Sequence, residues 1–251
     1  MDAVDLTLPQ ALGLKTGPLL VSIVGGGGKS SLLFALGKHL PGRVLLTTTT
    51  RIFAAQMNRT KRVFTLEDAD WRKHICETPG PTLLVGHVEG DRAVGVPIEL
   101  PSEVLDENGA DWVIVEADGS RMRPVKAPAE HEPVIPAQTG HVVVMAGIDA
   151  LSAPIEEIAH RPERVADITG LAINEKLSPE ALATLLSTRS GGLKNIPAAA
   201  EVSVMLNKVE APQEMAWAEE IATKILREKR VNRVLAGRLQ PTTALWRVWS
   251  N

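Results

Sequence analysis

Seven stretches of this chain look like strands, and most of them are continuously apolar and rich in valine, isoleucine or leucine, not alternating: "LLVSIVG", "RVLLTTTT", "TLLVGHV", "DWVIVEAD", "HVVVMAGI", "EVSVMLNKV" and "NRVLAGRL". A strand with one wet face alternates apolar and polar residues. A strand covered on both faces does not, and that is the condition of a parallel sheet. Between the runs lie helical patterns. Leu32, Leu33, Leu36 and Leu40 share a face. Ser178 reads as an N-cap before Pro179, with Leu182, Leu185 and Leu186 along one side. Ala218, Ile221, Ala222, Ile225 and Leu226 form another stripe, with Pro212 near its start. Strand–helix alternation predicts an α/β fold: a doubly wound, mostly parallel sheet with helices on both faces.

The chain is 251 residues long, and residues 1–251 are expected to form a single domain. Residues 119–136 are proline-rich and without period, which predicts a long structured loop. Residues of about 149–200 read as a mostly helical insertion between two strands. Net charge is −3, so no basic surplus points to nucleic acid or a membrane surface. Tyrosine is absent and aromatic residues are 3% of the chain, too few for a base-stacking platform. Cys76 is the single cysteine, no basic leader precedes the first apolar run, and no run is long enough to span a bilayer. These features predict a cytoplasmic protein.

One turn stands out. "VSIVGGGGKSS" places Gly25–Gly28 between an apolar strand and a helix pattern, followed by Lys29, Ser30 and Ser31. A triphosphate needs several backbone N–H groups turned inward, and glycine permits that turn without side-chain clash. The helix start adds partial positive charge. Lys29 is expected to reach the outer phosphates, and Ser30 to place a hydroxyl on Mg²⁺. A plain strand–helix turn would explain the glycines alone; the order strand, glycines, Lys-Ser, helix points to a phosphate cradle. The common spacing G-x-x-x-x-G-K-[ST] would have its first glycine at Ile23, so a tighter turn is expected.

"DWVIVEADGS" ends a strand on Glu116 and Asp118, with Gly119 following. Ligands of open α/β sheets bind at such strand ends. One carboxylate is expected to hold Mg²⁺ and the other to orient an attacking water. In "LLTTTTRIF", Thr49 or Thr50 is a candidate for Mg²⁺ or the γ-phosphate, and Arg51 for phosphate charge. Arg121, Arg123 and Lys126 form a basic segment that either senses an anion or is simply solvated. His131, between Glu130 and Glu132, lacks an evident partner ligand and reads as a surface histidine.

"VMLNKVE" ends a further strand with Asn207, Lys208 and Glu210. GTPases carry an N-K-x-D motif at this point, whose carboxylate accepts from guanine and rejects adenine. Glu210 is one methylene longer than that aspartate. A plain strand-to-helix turn is the alternative.

Taken with "LLTTTTRIF", "VIVEADGSRMRPVKAPAEHEPVIP", "GIDAL" and "HRPERV", these segments resemble the YqeC-type family over nearly the whole chain. Its members are described as selenium-dependent molybdenum hydroxylase accessory proteins, or selenium cofactor biosynthesis proteins. The resemblance implies a nucleotide-binding fold of the P-loop NTPase type, close to the maturation GTPases, with E-x-x-G at Glu116–Gly119. It marks Gly25–Ser30, Glu116–Ser120, Lys126 and Asn207–Glu210 as functional positions.

Three functions remain open at this point. One is an Mg²⁺-dependent, slow NTPase, GTP preferred over ATP, assisting maturation of a molybdenum hydroxylase or its cofactor, with Lys29, Glu116 and Asp118 as catalytic residues. Another is a small-molecule kinase or nucleotidyl-transferring enzyme. The third is a non-catalytic, nucleotide-responsive adaptor.

Overall fold

The computed structural model describes residues 4–250. In chain order the strands are β1 Leu19–Gly25, β2 Arg43–Thr48, β3 Arg51–Phe53, β4 Val63–Thr65, β5 Gly80–Val85, β6 His87–Glu89, β7 Arg92–Val94, β8 Trp112–Glu116, β9 Val125–Lys126, β10 His141–Gly147, β11 Ala159–His160, β12 Glu201–Asn207, β13 Arg233–Arg238 and β14 Ala244–Ser250. The α-helices are α1 Leu8–Leu12, α2 Lys29–His39, α3 Trp71–Glu77, α4 Leu100–Asp106, α5 Ile155–Ile158, α6 Pro162–Thr169, α7 Pro179–Ser187 and α8 Pro212–Ile225.

Nine strands form the main sheet in the order β14-β13-β12-β10-β1-β8-β2-β5-β4. All pairs are parallel except β13 with the edge strand β14. Every one of the seven strand-like runs contributes to this sheet, and β1, β8, β10 and β12 are buried over most or all of their length. The reason is coverage from both sides. On one face, Leu12 of α1 and Leu32 and Leu36 of α2 join Val21, Ile23, Val44 and Leu46. On the other, Ile75 of α3, Val104 of α4, Leu182 of α7 and Ile221 of α8 join Leu20, Val24, Val113 and Val115.

Two details differ from the sequence reading. The run 82–88 is not one strand: it breaks at Gly86, where a Cβ would meet the Gly95 carbonyl at 2.5 Å, and continues as β6 in a separate sheet of order β3-β7-β6. The proline-rich segment is also not wholly irregular, since β9 within it pairs with β11. Within 149–200, the short strand β11 lies between α5 and α6, and turns and irregular chain lie between α6 and α7.

The topology selects one corner of the sheet. From β1 the chain crosses by α2 to β2, beyond β8; from β10 it crosses the other way, to β12. That reversal is a switch point, and crevices open outside the carboxyl ends of its strands. The register brings Gly25 beside Met145, Ile23 and Thr48 beside Glu116, and Gly147 beside Asn207 at that end.

Candidate functional site

The glycine turn is built against its neighbours. Gly25, Gly27 and Gly28 have φ of +96°, +71° and +128°, conformations an L side chain resists. A Cβ on Gly27 would lie 2.0 Å from the Gly147 nitrogen. The N–H groups of the first three glycines serve the protein itself. Gly25 donates to Asp118 Oδ2 (3.1 Å), Gly26 to the Met145 carbonyl (2.9 Å) and Gly27 to the Arg123 carbonyl (3.0 Å). Gly28 caps α2, whose first internal bond runs from Leu32 N to Gly28 O. The first-turn N–H groups of Lys29, Ser30 and Ser31 therefore have no helical acceptor. The sequence reading had backbone N–H groups of the glycine turn directed inward at a phosphate. Here the free donors sit further along, at the helix start. Ile23 also finds its explanation: it is a buried β1 residue, and the turn begins only at Gly25.

Around Lys29 the acids close in. Its side chain is buried, and Nζ donates to the Gly25 carbonyl at 2.7 Å. Asp118 Oδ1 lies 3.3 Å away and Glu116 Oε1 3.9 Å. Ser30 Oγ donates to Glu116 Oε2 at 2.7 Å. Burial pushes the Glu116 carboxyl above its ordinary range, against the opposing pull of Lys29 and the Ser30 hydroxyl. Asp118 also pairs with Lys126 at 3.1 Å. Lys126 in turn donates to Gly119 O (2.6 Å) and to Glu132 Oε2 (2.9 Å), which accepts as well from Arg161 Nη1 (2.7 Å) and Ala129 N (3.1 Å). Burial alone would raise the Glu132 pKa; the bonds from Lys126, Ala129 and Arg161 outweigh it and bring it to about 2. The result is one continuous chain of alternating charge: Lys29, Asp118, Lys126, Glu132, Arg161.

Lys29, Ser30, Glu116 and Glu132 border a cavity of about 800 Å³, lined also by Gly27, Gly28, Ser31, Gly119, Thr49 and Thr50, among others, while Asp118, Lys126 and Arg161 stand behind that lining. Its cations are Lys29, Arg51, Arg59, Arg92, Arg121 and Lys208, against the carboxylates Glu116 and Glu132. An anion is the ligand such a lining favours. Thr49 Oγ1 is already engaged, donating to the Val134 carbonyl at 2.7 Å. His131 is exposed on the cavity lining. Arg123 is turned away, with its guanidinium on the Glu157 carbonyl.

The Asn-Lys-x-Glu segment divides. Asn207 is buried, donating from Nδ2 to the Gly27 carbonyl (2.7 Å) and accepting at Oδ1 from Leu239 N (3.0 Å). Lys208 lines the cavity and pairs with Asp149 at 2.5 Å. Glu210 is exposed beside the start of α8 and is not among the lining residues.

A family model described as "YqeC protein" matches residues 21–163, more than half of the chain. The chain belongs to the YqeC family. It is similar to "Uncharacterized protein YqeC" of Escherichia coli (strain K12), with 30% identity, covering 96% of this chain and 95% of that protein. The segment matched by the YqeC model contains the glycine turn, both strand-end acids, Lys126, Glu132 and Arg161; Asn207–Glu210 lie beyond it.

Several residues of this YqeC site were not singled out as site residues by sequence reasoning. Glu132 was noted only as a neighbour of His131, yet its carboxylate accepts from Lys126, Arg161 and the Ala129 amide, and Arg161 is 29 positions away. Phe53, Gln56, Arg59 and Arg92 come from β3, a 3-10 turn over Ala54–Arg59, and β7. Arg161 stands before a proline, where extended backbone is the ordinary expectation, so its φ of +66° had no signal in the sequence. No helix among the described residues is long and apolar enough to cross a membrane.

Proposed function

We propose that this protein is a nucleotide-binding protein of the P-loop NTPase type, a slow, Mg²⁺-dependent NTPase with GTP preferred over ATP. The observation that carries this reading is the hydrogen bond of Ser30 Oγ to Glu116 Oε2 at 2.7 Å, beside buried Lys29 at the start of α2. A hydroxyl and a carboxylate side by side are hard oxygen donors, the type Mg²⁺ takes together with phosphate oxygens. Among the described residues no group of three His, Cys, Asp or Glu side chains could hold a metal. A site completed by the nucleotide's own phosphates is consistent with that, because Mg²⁺ commonly uses only one or two carboxylates. Asp118 Oδ1, which accepts no hydrogen bond and has the Lys29 ammonium 3.3 Å away, adds a third candidate oxygen. Bound there, Mg²⁺ would neutralise charge developing on the phosphates.

The chain's own groups supply the rest. The first-turn amides Lys29–Ser31 and the Lys29 ammonium stabilise phosphate charge. Asp118, fixed by Gly25 N–H and Lys126, orients the attacking water. Arg51 and Arg121 lie on the lining, but among the described residues no guanidinium is fixed on the phosphate end, so turnover without a partner is slow. Guanine preference rests on the Asn-Lys-x-Glu spacing: Lys208 is on the cavity and Asn207 is tied to the glycine turn, while Glu210, the acid that would read the base, stands outside the lining. Assistance to a molybdenum hydroxylase or its cofactor rests on the family resemblance alone.

A melting scan with Mg²⁺ and GTP, GDP, ATP, ADP or CTP tests the reading. A nucleotide at 100 times its dissociation constant stabilises by about 2.7 kcal/mol. GTP with Mg²⁺ is expected to give the largest shift, and Lys29→Ala to abolish it. Equal melting with every nucleotide would refute it.

A second reading, group transfer from nucleotide to a small molecule, draws on the breadth of the cavity, which continues past the phosphate end to a wall made by β3 and β7.

A further inference from the structure

The cavity has two ends, and the proposed nucleotide uses one. In the order β12-β10-β1-β8-β2, Lys208 follows β12, the glycine turn follows β1, and Arg51–Phe53 follow β2. The two walls therefore stand on opposite sides of the glycine turn, two strand steps or roughly 10 Å each way at the spacing of paired strands. A nucleotide with its base at Lys208 and its phosphates at α2 leaves the β3–β7 wall uncovered.

That wall carries its own chemistry. Arg92 sits over the Phe53 ring, with Cζ 3.6 Å from the centroid, and a planar guanidinium so placed offers its outer side to a further flat group. Among the described residues Arg59 and Arg121 have no carboxylate partner, while Arg51 pairs with Glu89 and Arg92 with Asp91. Gln56 Oε1 is a buried acceptor with no donor within the protein, on the cavity lining. A buried acceptor left unpaired is costly, and a ligand's N–H or O–H would satisfy it.

We infer that this wall is a second small-molecule subsite, for an anion bearing a flat ring and a hydrogen-bond donor. The ring stacks on the Arg92–Phe53 pair, the negative charge meets Arg59 and Arg121, and the donor reaches Gln56. The inference takes its placement from the nucleotide reading above, since a bound nucleotide defines which end is left open.

The test uses the full-length protein with Mg²⁺ and saturating GDP, and 1-naphthyl phosphate as the probe, measured by titration calorimetry. Inorganic phosphate lacks the ring and 1-naphthol lacks the charge. Expected is binding of the probe alongside GDP, weaker binding of both controls, and a loss of about tenfold in Arg92→Gln and in Gln56→Leu with GDP affinity unchanged. No binding of the probe, or binding that Arg92→Gln and Gln56→Leu leave intact, overturns the inference. Competition between probe and GDP assigns the wall to the nucleotide itself and also overturns it. Binding of the probe with the same variant sensitivity, but no binding of GDP, removes the function proposed above and leaves the anion subsite standing.

Discussion

Asn207, the last residue of β12, holds the carbonyl oxygen of Gly27 at 2.7 Å, across the one intervening strand β10. With its other amide atom it accepts from Leu239 N, so one buried side chain fastens the glycine turn to the loop after β13. Asn207→Ala leaves both partners buried and unpaired. Removing a buried partner costs on the order of 1–3 kcal/mol. Chemical denaturation should show that loss, and nucleotide affinity should fall with it. An unchanged unfolding midpoint would refute the tie.

The glycines differ sharply in what they tolerate. Gly27→Ala would place a Cβ against the backbone at Gly147 and force a positive φ, so loss of folding or of several kcal/mol is expected. Gly119→Ala meets nothing within 4 Å and has no positive φ, so stability should change by less than about 0.5 kcal/mol. Thermal melts of the pair provide the comparison.

Ser30→Ala removes one proposed Mg²⁺ ligand and the bond to Glu116, without disturbing the helix. The expected outcome is a drop of tenfold or more in nucleotide affinity with Mg²⁺ present, and little change in EDTA. Equal losses in both conditions would assign Ser30 to phosphate alone.

Lys126→Met breaks the charge chain between Asp118 and Glu132. Deleting one partner of a buried ion pair commonly costs about 3–5 kcal/mol, because the other charges stay buried. The double change Lys126→Met/Glu132→Leu should recover part of that loss. A cycle of single and double variants measures the coupling.

Acid should destabilise the fold in two windows. Burial, with the charge of Arg233, holds His141 at about 4, and burial with the charges of Arg161 and Lys126 holds His160 at about 4. Both sit below the free value of 6.5, so the native state resists their protonation. Their stabilising share is complete above 6.5 and is lost as pH falls toward 4. For His141 the loss is on the order of 3 kcal/mol. Glu132, at about 2 instead of 4.5, adds a second loss between those values. Melting temperature against pH should fall through both windows, and His141→Gln should flatten the first.

The sheet was legible because its strands are covered on both faces; Val142–Met145 and Val202–Leu206 leave no other reading. What escaped was short or one-sided. β14 mixes Trp246 and Trp249 with Arg247 and lies at an edge, where only Leu245 is fully buried, so no continuous apolar run announces it. β3, β6 and β7 have three residues each. The glycine turn, Ser30 and Glu116 were found because the adjacent strand and helix patterns point to them. Glu132 and Arg161 meet only through the pairing of β9 with β11, a contact that sequence spacing does not encode. Glu210 had the expected spacing but lies outside the cavity lining, because the chain turns at Lys208, with φ +65°, and then enters α8.

The internal bonds of Gly25, Gly26 and Gly27 have a kinetic consequence. A turn whose amides are already spoken for has little left to organise when a partner molecule arrives. Association should then proceed close to the encounter rate with a small entropic penalty, and any slow step must come from elsewhere in the chain.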